Sequence, residues 1–211
     1  MDVINRIDGI IEEHSLLKHP FYQKWSEGKL ECRSLAGYSK EYFQLVKAVP
    51  LFMVPIIRAA PESAKCELEA NMQEESDHIL PWTDFAGELG VTGDELASCE
   101  GLEKTRKAVS ELEILMNTYD AGASAMYALE KEIPKISQTK LDGLAEFYNI
   151  TSQKATEYFK LHTEADIRHA ASWRHILEQS RADPGDLINA AEKSVRAQNL
   201  LLDGCYEEYC S

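Results

Sequence analysis

The chain has 211 residues, of which 44% are hydrophobic and 27% are charged, and its formal net charge is -14 at pH 7. This length suits one domain that buries a core without disulfides or structural metals, and we expect a single domain over residues 1–211. The acidic balance disfavours nucleic acid and anionic membrane surfaces as partners, because the field of the chain repels phosphates.

Other features of the composition bear on the compartment. The longest apolar run, residues 48–57, contains two prolines and is too short to span a bilayer. Residues 1–14 lack the basic and apolar regions of a signal peptide. The five cysteines are scattered and form no C-x-x-C pair, which is typical of a reducing compartment. We therefore expect a cytoplasmic protein without membrane contact. We also expect a homodimer, and the sequence names no other protein partner.

The spacing of apolar residues predicts helices throughout. The sequence contains no sustained alternation of apolar and polar residues, which would indicate strands, and no Asn-Gly hairpin turn. We therefore expect an all-α bundle of about seven or eight helices. In the first half, the predicted helices cover residues 1–17, 20–26, 33–59 and 61–89, followed by a short capped turn from residue 92. Prolines should bend the third of these helices and break the fourth near Pro81.

The second half of the chain continues the helical pattern. Predicted helices cover residues 102–117, 119–133, 140–148, 152–180 and 183–202. The first two of these abut and form either one long helix or two. Pro134 and the polar run to Thr139 are predicted as a loop, which leaves Lys140 as an exposed lysine at a helix start.

The predicted helix 152–180 carries the most informative pattern. At steps of four and three residues, one stripe contains Ala155, Phe159, His162, Asp166, His169, Trp173 and Ile176. The two ends of the stripe are apolar, whereas its middle would bury two imidazoles and a carboxylate, each at a cost of about 2–7 kcal/mol or more if unpaired. A metal ion would satisfy all three side chains. A hydrogen-bonded polar layer, or a partly wet face, is the alternative explanation.

The same anomaly recurs on two other predicted helices. Glu74 and His78 are four residues apart on one face, and Glu130 interrupts an otherwise apolar stripe that starts at Tyr119. With Glu75 and Asp77 nearby, the first pair also fits an ordinary solvated face. Together, the candidates supply three carboxylates and three imidazoles: Glu74, His78, Glu130, His162, Asp166 and His169. Helical bundles use this ligand set to hold a pair of Fe or Mn ions that activates O2.

Several motifs resemble a known family. They are HTEADIRHA (residues 162–170), HPFYQKWSEGKL (19–30), GYSKEYFQLVKA (37–48), QEESDH (73–78) and ALEKEIPKI (128–136). They are similar to the PqqC-like and TenA-like proteins of haem-oxygenase-like fold, above all to the CADD-like branch, named for the Chlamydia protein associating with death domains. Before His78 this sequence is shorter than the family's pattern. Glu74 and Glu75 therefore both stay open as the ligand, with Glu74 in better helical phase.

The resemblance implies a particular activity. Members of the branch are unusual p-aminobenzoate synthases of folate biosynthesis, in which a di-metal centre of Fe, or of Fe with Mn, uses O2 and an external reductant to excise the ring of the protein's own tyrosine. By this resemblance the sacrificed residue is Tyr22, a second active-site tyrosine is Tyr38, and Lys140 supplies the amino group. From the residues alone, Tyr22 would be an ordinary core aromatic.

Two other classes of function compete with this interpretation. One is a metal-free enzyme of the PqqC or TenA kind that acts on a free small molecule, and the other is a non-catalytic helical protein that binds a partner. Three carboxylates in one metal-free pocket would repel one another, which argues against the first. No local motif supports the second.

Overall fold

The chain is helical almost throughout in the computed structural model, which describes residues 2–210. The all-α prediction is confirmed, and no β-strand occurs among these residues. A 3-10 turn, Leu16–Lys18, accompanies twelve α-helices: α1 (Val3–Glu13), α2 (Pro20–Ser26), α3 (Cys32–Val46), α4 (Val49–Ala59), α5 (Glu62–Asp77), α6 (Ile79–Glu88), α7 (Gly93–Ser98), α8 (Glu103–Leu115), α9 (Tyr119–Glu130), α10 (Ile133–Phe147), α11 (Gln153–Gln179) and α12 (Pro184–Tyr209).

The count exceeds seven or eight partly because two long predicted helices are each divided. The helix expected over residues 33–59 separates into α3 and α4 just before Pro50, which lies in the first turn of α4, where its missing donor is tolerated. The helix expected over residues 61–89 separates into α5 and α6 at His78. Pro81 cannot donate to the carbonyl of Asp77, so the break falls one turn before the proline.

The predicted loop over residues 134–139 is wrong. α10 begins at Ile133 and runs without interruption, because Pro134 occupies its first turn, where a backbone donor is not needed. Lys140 consequently lies in the middle of a helix and is buried, so its description as an exposed helix-start lysine is also wrong. α11 agrees with its prediction and is capped by Ser152, whose hydroxyl accepts from the Ala155 amide at 3.1 Å.

Residues 32–59, which form α3 and α4, are long and apolar enough to cross a membrane by length and composition alone. Half of the apolar window is buried inside the protein, and the core helices of soluble proteins pass the same test. The lack of membrane contact stays a prediction.

The buried face of α11 packs against α6, α9 and α10, and α12 packs against α8 and α9. The core around these helices includes three fully buried tryptophans, Trp25, Trp82 and Trp173. Because α11 is surrounded on several sides, the polar residues in the middle of its stripe face other helices rather than water.

Gly143 on α10 provides a test of packing next to the functional region. A Cβ atom at this position would lie 2.7 Å from Cδ1 of Trp25, whose indole N–H donates to the Lys140 carbonyl. We expect Gly143→Ala to lower the free energy of unfolding by about 1–3 kcal/mol through overpacking, although alanine is the better helix former.

Gly9 on α1 is the matched control, because nothing lies within 4 Å of a Cβ added there. Gly9→Ala should raise the free energy of unfolding by about 0.5–1 kcal/mol. Urea unfolding of both variants measures the difference, and equal effects of the two substitutions would contradict the packing argument.

Candidate metal centre

Buried carboxylates and imidazoles come together where α5, α6, α9 and α11 meet. They form two groups that share Glu75, and within each group the donor atoms all lie within 4.8 Å of one another. The first group is Glu75, His78 and His162, and the second is Glu75, Glu130, Asp166 and His169. The structure thus brings together five of the six predicted candidates.

The local backbone explains how these side chains converge. Glu75 lies in the last turn of α5, and His78 occupies the junction between α5 and α6. Glu130 is the last residue of α9. His162, Asp166 and His169 follow one face of α11 at steps of four and three, so a single helix contributes to both groups.

The structure places Glu75, rather than Glu74, in both donor groups. Glu75 Oε2 lies 3.7 Å from His78 Nδ1 and 3.9 Å from His162 Nε2, and its Oε1 lies 3.2 Å from His169 Nδ1. The Glu74 side chain is 37% exposed and contacts Arg168. Helical phase does not separate the two glutamates, because the His78 amide still donates to the Glu74 carbonyl and residues three and four positions before His78 share its face.

Several buried polar atoms in these groups have no hydrogen-bond partner. They are Glu75 Oε1, His78 Nδ1, Asp166 Oδ2 and His169 Nδ1. His169 Nδ1 and Glu75 Oε1 are close, but their geometry is not that of a hydrogen bond. Each orphaned polar group costs about 1–3 kcal/mol, so four in one place require an explanation. A cation would satisfy all four, and the donor set therefore fits a metal ion.

Neighbouring groups fix the orientation of the candidate ligands. His162 Nδ1 lies 2.7 Å from the Tyr158 carbonyl oxygen. Because a carbonyl can only accept, Nδ1 carries the hydrogen and the lone pair of Nε2 faces Glu75. The Trp173 indole N–H donates to Glu130 Oε2 at 2.7 Å. Partners of this kind hold metal ligands in productive orientations.

Burial sets the protonation of the cluster. It raises the pKa of Asp166 well above its ordinary value, and the nearby charges of Glu75 and Glu130 add to the rise. Burial also raises the pKa of Glu130 to about 8 and lowers the pKa of His162 to about 4. Burial would raise the pKa of Glu75 too, but its interactions with His169 and His78 outweigh that effect and hold it below its ordinary value. A bound cation would favour the deprotonated form of all these carboxylates.

A cavity of about 30 Å³ adjoins the cluster. One wall consists of candidate ligands, namely Glu75, Glu130, His162 and Asp166. The remaining wall is formed by Tyr42, Leu45, Val46, Val49, Leu129, Ile133 and Tyr158. Because one water-sized probe needs roughly 10–15 Å³, the cavity admits water or a diatomic gas but no organic substrate.

The three residues implied by the family resemblance form a buried, hydrogen-bonded cluster, the tyrosine–lysine cluster. The hydroxyl oxygens of Tyr22 and Tyr38 lie 2.9 Å apart, and Lys140 Nζ donates to Tyr38 at 2.7 Å. Lys140 Nζ also lies 4.9 Å from the centroid of the Tyr22 ring. Burial lowers the pKa of Lys140 to about 7, so a substantial fraction of the amine is neutral near neutral pH.

Tyr42 lies between the cavity and the tyrosine–lysine cluster and was missed by sequence analysis. Its ring lines the cavity, lies 4.8 Å from Lys140 Nζ and has its centroid 5.3 Å from that of Tyr38. Tyr158 was missed as well; its ring stacks on His162 at 4.0 Å. Tyr42 could have been found as the next position on the Tyr38 face of α3, four residues on.

The fold and the donor set define an iron-containing redox enzyme with a haem-oxygenase-like architecture. Residues 37–199 match the family model described as "Iron-containing redox enzyme", and the chain belongs to that family. Its relatives include the 4-aminobenzoate synthase of Chlamydia muridarum, 32% identical over 202 residues that cover 92% of this chain and 86% of that protein. The 4-aminobenzoate synthase of Nitrosomonas europaea is 31% identical over 225 residues, which cover 98% and 92% of the two chains.

Solved structures support the fold. A TenA homologue from Pseudomonas syringae has a TM-score of 0.84 at 16% identity and covers 97% of this chain and 91% of its own. A CADD-like protein of unknown function from Nostoc punctiforme has a TM-score of 0.80 at 17% identity, with coverage of 99% and 97%. The family resemblance inferred from the motifs is therefore confirmed, and so is the prediction that the protein is an oxidoreductase.

The buried lysine gives a pH-dependent prediction. The pKa of Lys140 is about 7 in the folded chain against an ordinary value of 10.5, so between these values the unfolded state binds more protons. The free energy of unfolding of the wild type, relative to Lys140→Met, should therefore rise by roughly 2 kcal/mol from about pH 6.5 to about pH 9.

Lys135→Met is the matched control, because Lys135 lies exposed on the same helix. Urea titrations at both pH values measure the difference. A difference between wild type and Lys140→Met that does not change with pH would show that Lys140 stays charged in the folded protein.

Proposed function

We propose that this chain is a self-sacrificing di-metal oxygenase that forms p-aminobenzoate from the ring of its own Tyr22. The observation that carries the proposal is the position of Lys140, a buried amine 4.9 Å from the centroid of the Tyr22 ring. Relatives named 4-aminobenzoate synthase, which cover most of the chain, support the same activity.

The candidate ligands suit two metal ions. His78 and His162 would hold one ion, while Glu130, Asp166 and His169 would hold the other, with Glu75 shared between them. Carboxylates with imidazoles favour Fe, or Fe with Mn, over a structural zinc site. Such a centre, when bound, activates O2 with electrons from an external reductant and supplies the oxidising power of the reaction.

The chain's own residues would then provide the substrate and the nitrogen. Burial raises the pKa of Tyr22 and of Tyr38, so both phenols stay protonated and hydrogen-bonded to each other. A neutral Lys140 that donates one hydrogen to Tyr38 keeps its lone pair, which makes the nitrogen a nucleophile beside the Tyr22 ring.

The dimensions of the site favour an internal substrate. The cavity that four of the candidate ligands line holds about 30 Å³, which is too small for an organic molecule, and the Tyr22 side chain is only 2% exposed. The likeness to the TenA homologue, at 16% identity, concerns the fold alone. A metal-free enzyme would also have to tolerate four orphaned buried polar atoms among its would-be ligands.

Metal binding should depend on Asp166. We expect the wild type, loaded with Fe(II) under argon, to bind two ions per chain, one for each donor group, and to melt at a higher temperature than the metal-free protein. Asp166→Ala should bind less metal and should lose most of the metal-induced rise in melting temperature. The variant should still fold, because the substitution removes one of several crowded carboxylates. Elemental analysis and thermal melts measure both effects.

Asp142→Ala, which changes an exposed aspartate on α10, is the control and should behave as the wild type. If Fe(II) raised the melting temperature of Asp166→Ala and of the wild type equally, Asp166 would not be a ligand.

The activity itself can be traced with labelled tyrosine. Protein that has incorporated ring-labelled tyrosine, when given Fe(II), reductant and O2, should release labelled p-aminobenzoate and lose mass in the peptide that contains Tyr22. Tyr22→Phe should form no product while it still binds metal, because the ring lacks the hydroxyl that makes it oxidisable. Lys140→Arg should also form none, because a guanidinium stays protonated, and Tyr38→Phe should be slowed.

Tyr119→Phe, at the opposite end of α9 from Glu130, is the control and should form product normally. Labelled product with an intact Tyr22 peptide would assign the substrate role to another tyrosine. Product without label would indicate an ordinary enzyme that acts on a small molecule.

A further inference from the structure

Glu74 lies outside both donor groups but contacts a member of one of them. Its Oε2 is 3.2 Å from Nε2 of His169. The same carboxylate is held by both ends of the Arg168 guanidinium, with Nη1 3.2 Å from Oε1 and Nη2 2.9 Å from Oε2. His169 is only 1% exposed, so Glu74 supplies the hydrogen-bond partner of its buried Nε2 atom, at the outer edge of the imidazole.

The geometry of the ring assigns a role to this contact. A carboxylate held by arginine can only accept a hydrogen bond, so His169 Nε2 carries the hydrogen and Nδ1 presents its lone pair. Nδ1 faces Glu75 Oε1 at 3.2 Å and Asp166 Oδ1 at 3.7 Å and has no hydrogen-bond partner. We propose that Glu74, held by Arg168, is a positioning residue that fixes His169 with Nδ1 towards the metal centre. This inference rests on the proposed function.

Two consecutive glutamates of α5 thus contact opposite edges of one imidazole. Glu75 reaches the inner edge, and Glu74 reaches the outer edge. His162 has a comparable partner, since the Tyr158 carbonyl accepts from its Nδ1. The partner of His169, however, is a side chain on another helix, so the contact also ties α5 to α11 and can be removed by a single substitution.

Arg168 explains how Glu74, a partly exposed side chain, can hold His169 in one orientation. An exposed carboxylate on its own would sample several rotamers, whereas the two parallel hydrogen bonds from guanidinium hold it in one. Arg168 directly precedes His169 on α11, so the same helix carries both the imidazole and the group that holds its partner. Lysine at this position would offer only a point charge.

The test measures Mn(II) binding under argon by titration, at sub-saturating and saturating metal. Glu74→Ala should weaken the affinity by about 10–100-fold, the usual effect of removing a group that orients a metal ligand. At saturating Mn(II) it should still load as many ions as the wild type. Glu74→Gln should recover most of the affinity, because its amide oxygen can still accept from Nε2. The Mn(II) affinity of Arg168→Lys should lie between that of Glu74→Ala and that of the wild type.

The matched control is Glu67→Ala, because Glu67 lies two turns earlier on α5 and accepts a hydrogen bond from Ser172 of α11 without contacting a candidate ligand. It should bind Mn(II) as the wild type does.

A spectroscopic readout separates positioning from general stability. In Zn(II)-loaded protein with 15N-labelled histidine, long-range 1H–15N spectra should show His169 bound through Nδ1 in the wild type. The same spectra of Glu74→Ala should show a mixture of His169 forms.

The outcomes are distinguishable. Unchanged affinity and an unchanged His169 spectrum in Glu74→Ala would overturn the positioning role alone. The loss of one ion from Glu74→Ala at saturating metal would show that Glu74 is itself a ligand. A wild-type chain that binds no metal would overturn the proposed function and the positioning role with it.

Discussion

The carboxylate of Glu75 is the group on which the rest of the site depends. It lies within 3.9 Å of nitrogen atoms of His78, His162 and His169, so one side chain links α5 to α11 and belongs to both donor groups. A buried carboxylate is expensive unless it is paired, and here the nearest groups include two further carboxylates. The arrangement is therefore stable as a polar cluster only if protons or cations neutralise it. Cations do so while they also satisfy the orphaned nitrogen and oxygen atoms.

Burial shifts the pKa values of the lysine and of the phenols in the tyrosine–lysine cluster in opposite directions, and both shifts suit the proposed chemistry. It lowers the pKa of Lys140 to about 7, because an ammonium loses its hydration, and it raises the pKa of the adjacent phenols, because a phenolate would lose its own. A neutral amine and a protonated phenol can thus coexist at neutral pH. Lys140 Nζ lies over four aromatic rings, which have no negative charge to stabilise an ammonium as a carboxylate would.

The sequence allowed prediction of most of the helices and of the family, because both depend on local patterns. The stripe on α11 has a polar middle that stands out against its apolar ends, and five of six candidates converge. Three features escaped prediction for reasons of three-dimensional structure. The choice between Glu74 and Glu75 depends on which of two helical neighbours of His78 is turned into the cluster, and the burial of Lys140 depends on the continuity of α10 through Pro134. The position of Tyr42 depends on packing between helices that are distant in sequence.

The last turn of α5 places two adjacent glutamates at different depths. The His78 amide still donates to the Glu74 carbonyl at 3.0 Å, so His78 shares a helix face with the residues three and four positions earlier. That His78 bond is the last regular one of α5, and α6 begins afresh at Ile79, because Pro81 has no amide to donate to the Asp77 carbonyl. Glu74 is then directed outwards, where Arg168 and the outer edge of His169 meet it. The two adjacent glutamates, roughly 100° apart around the axis of α5, thus take separate positions, one inside the cluster and one beside it.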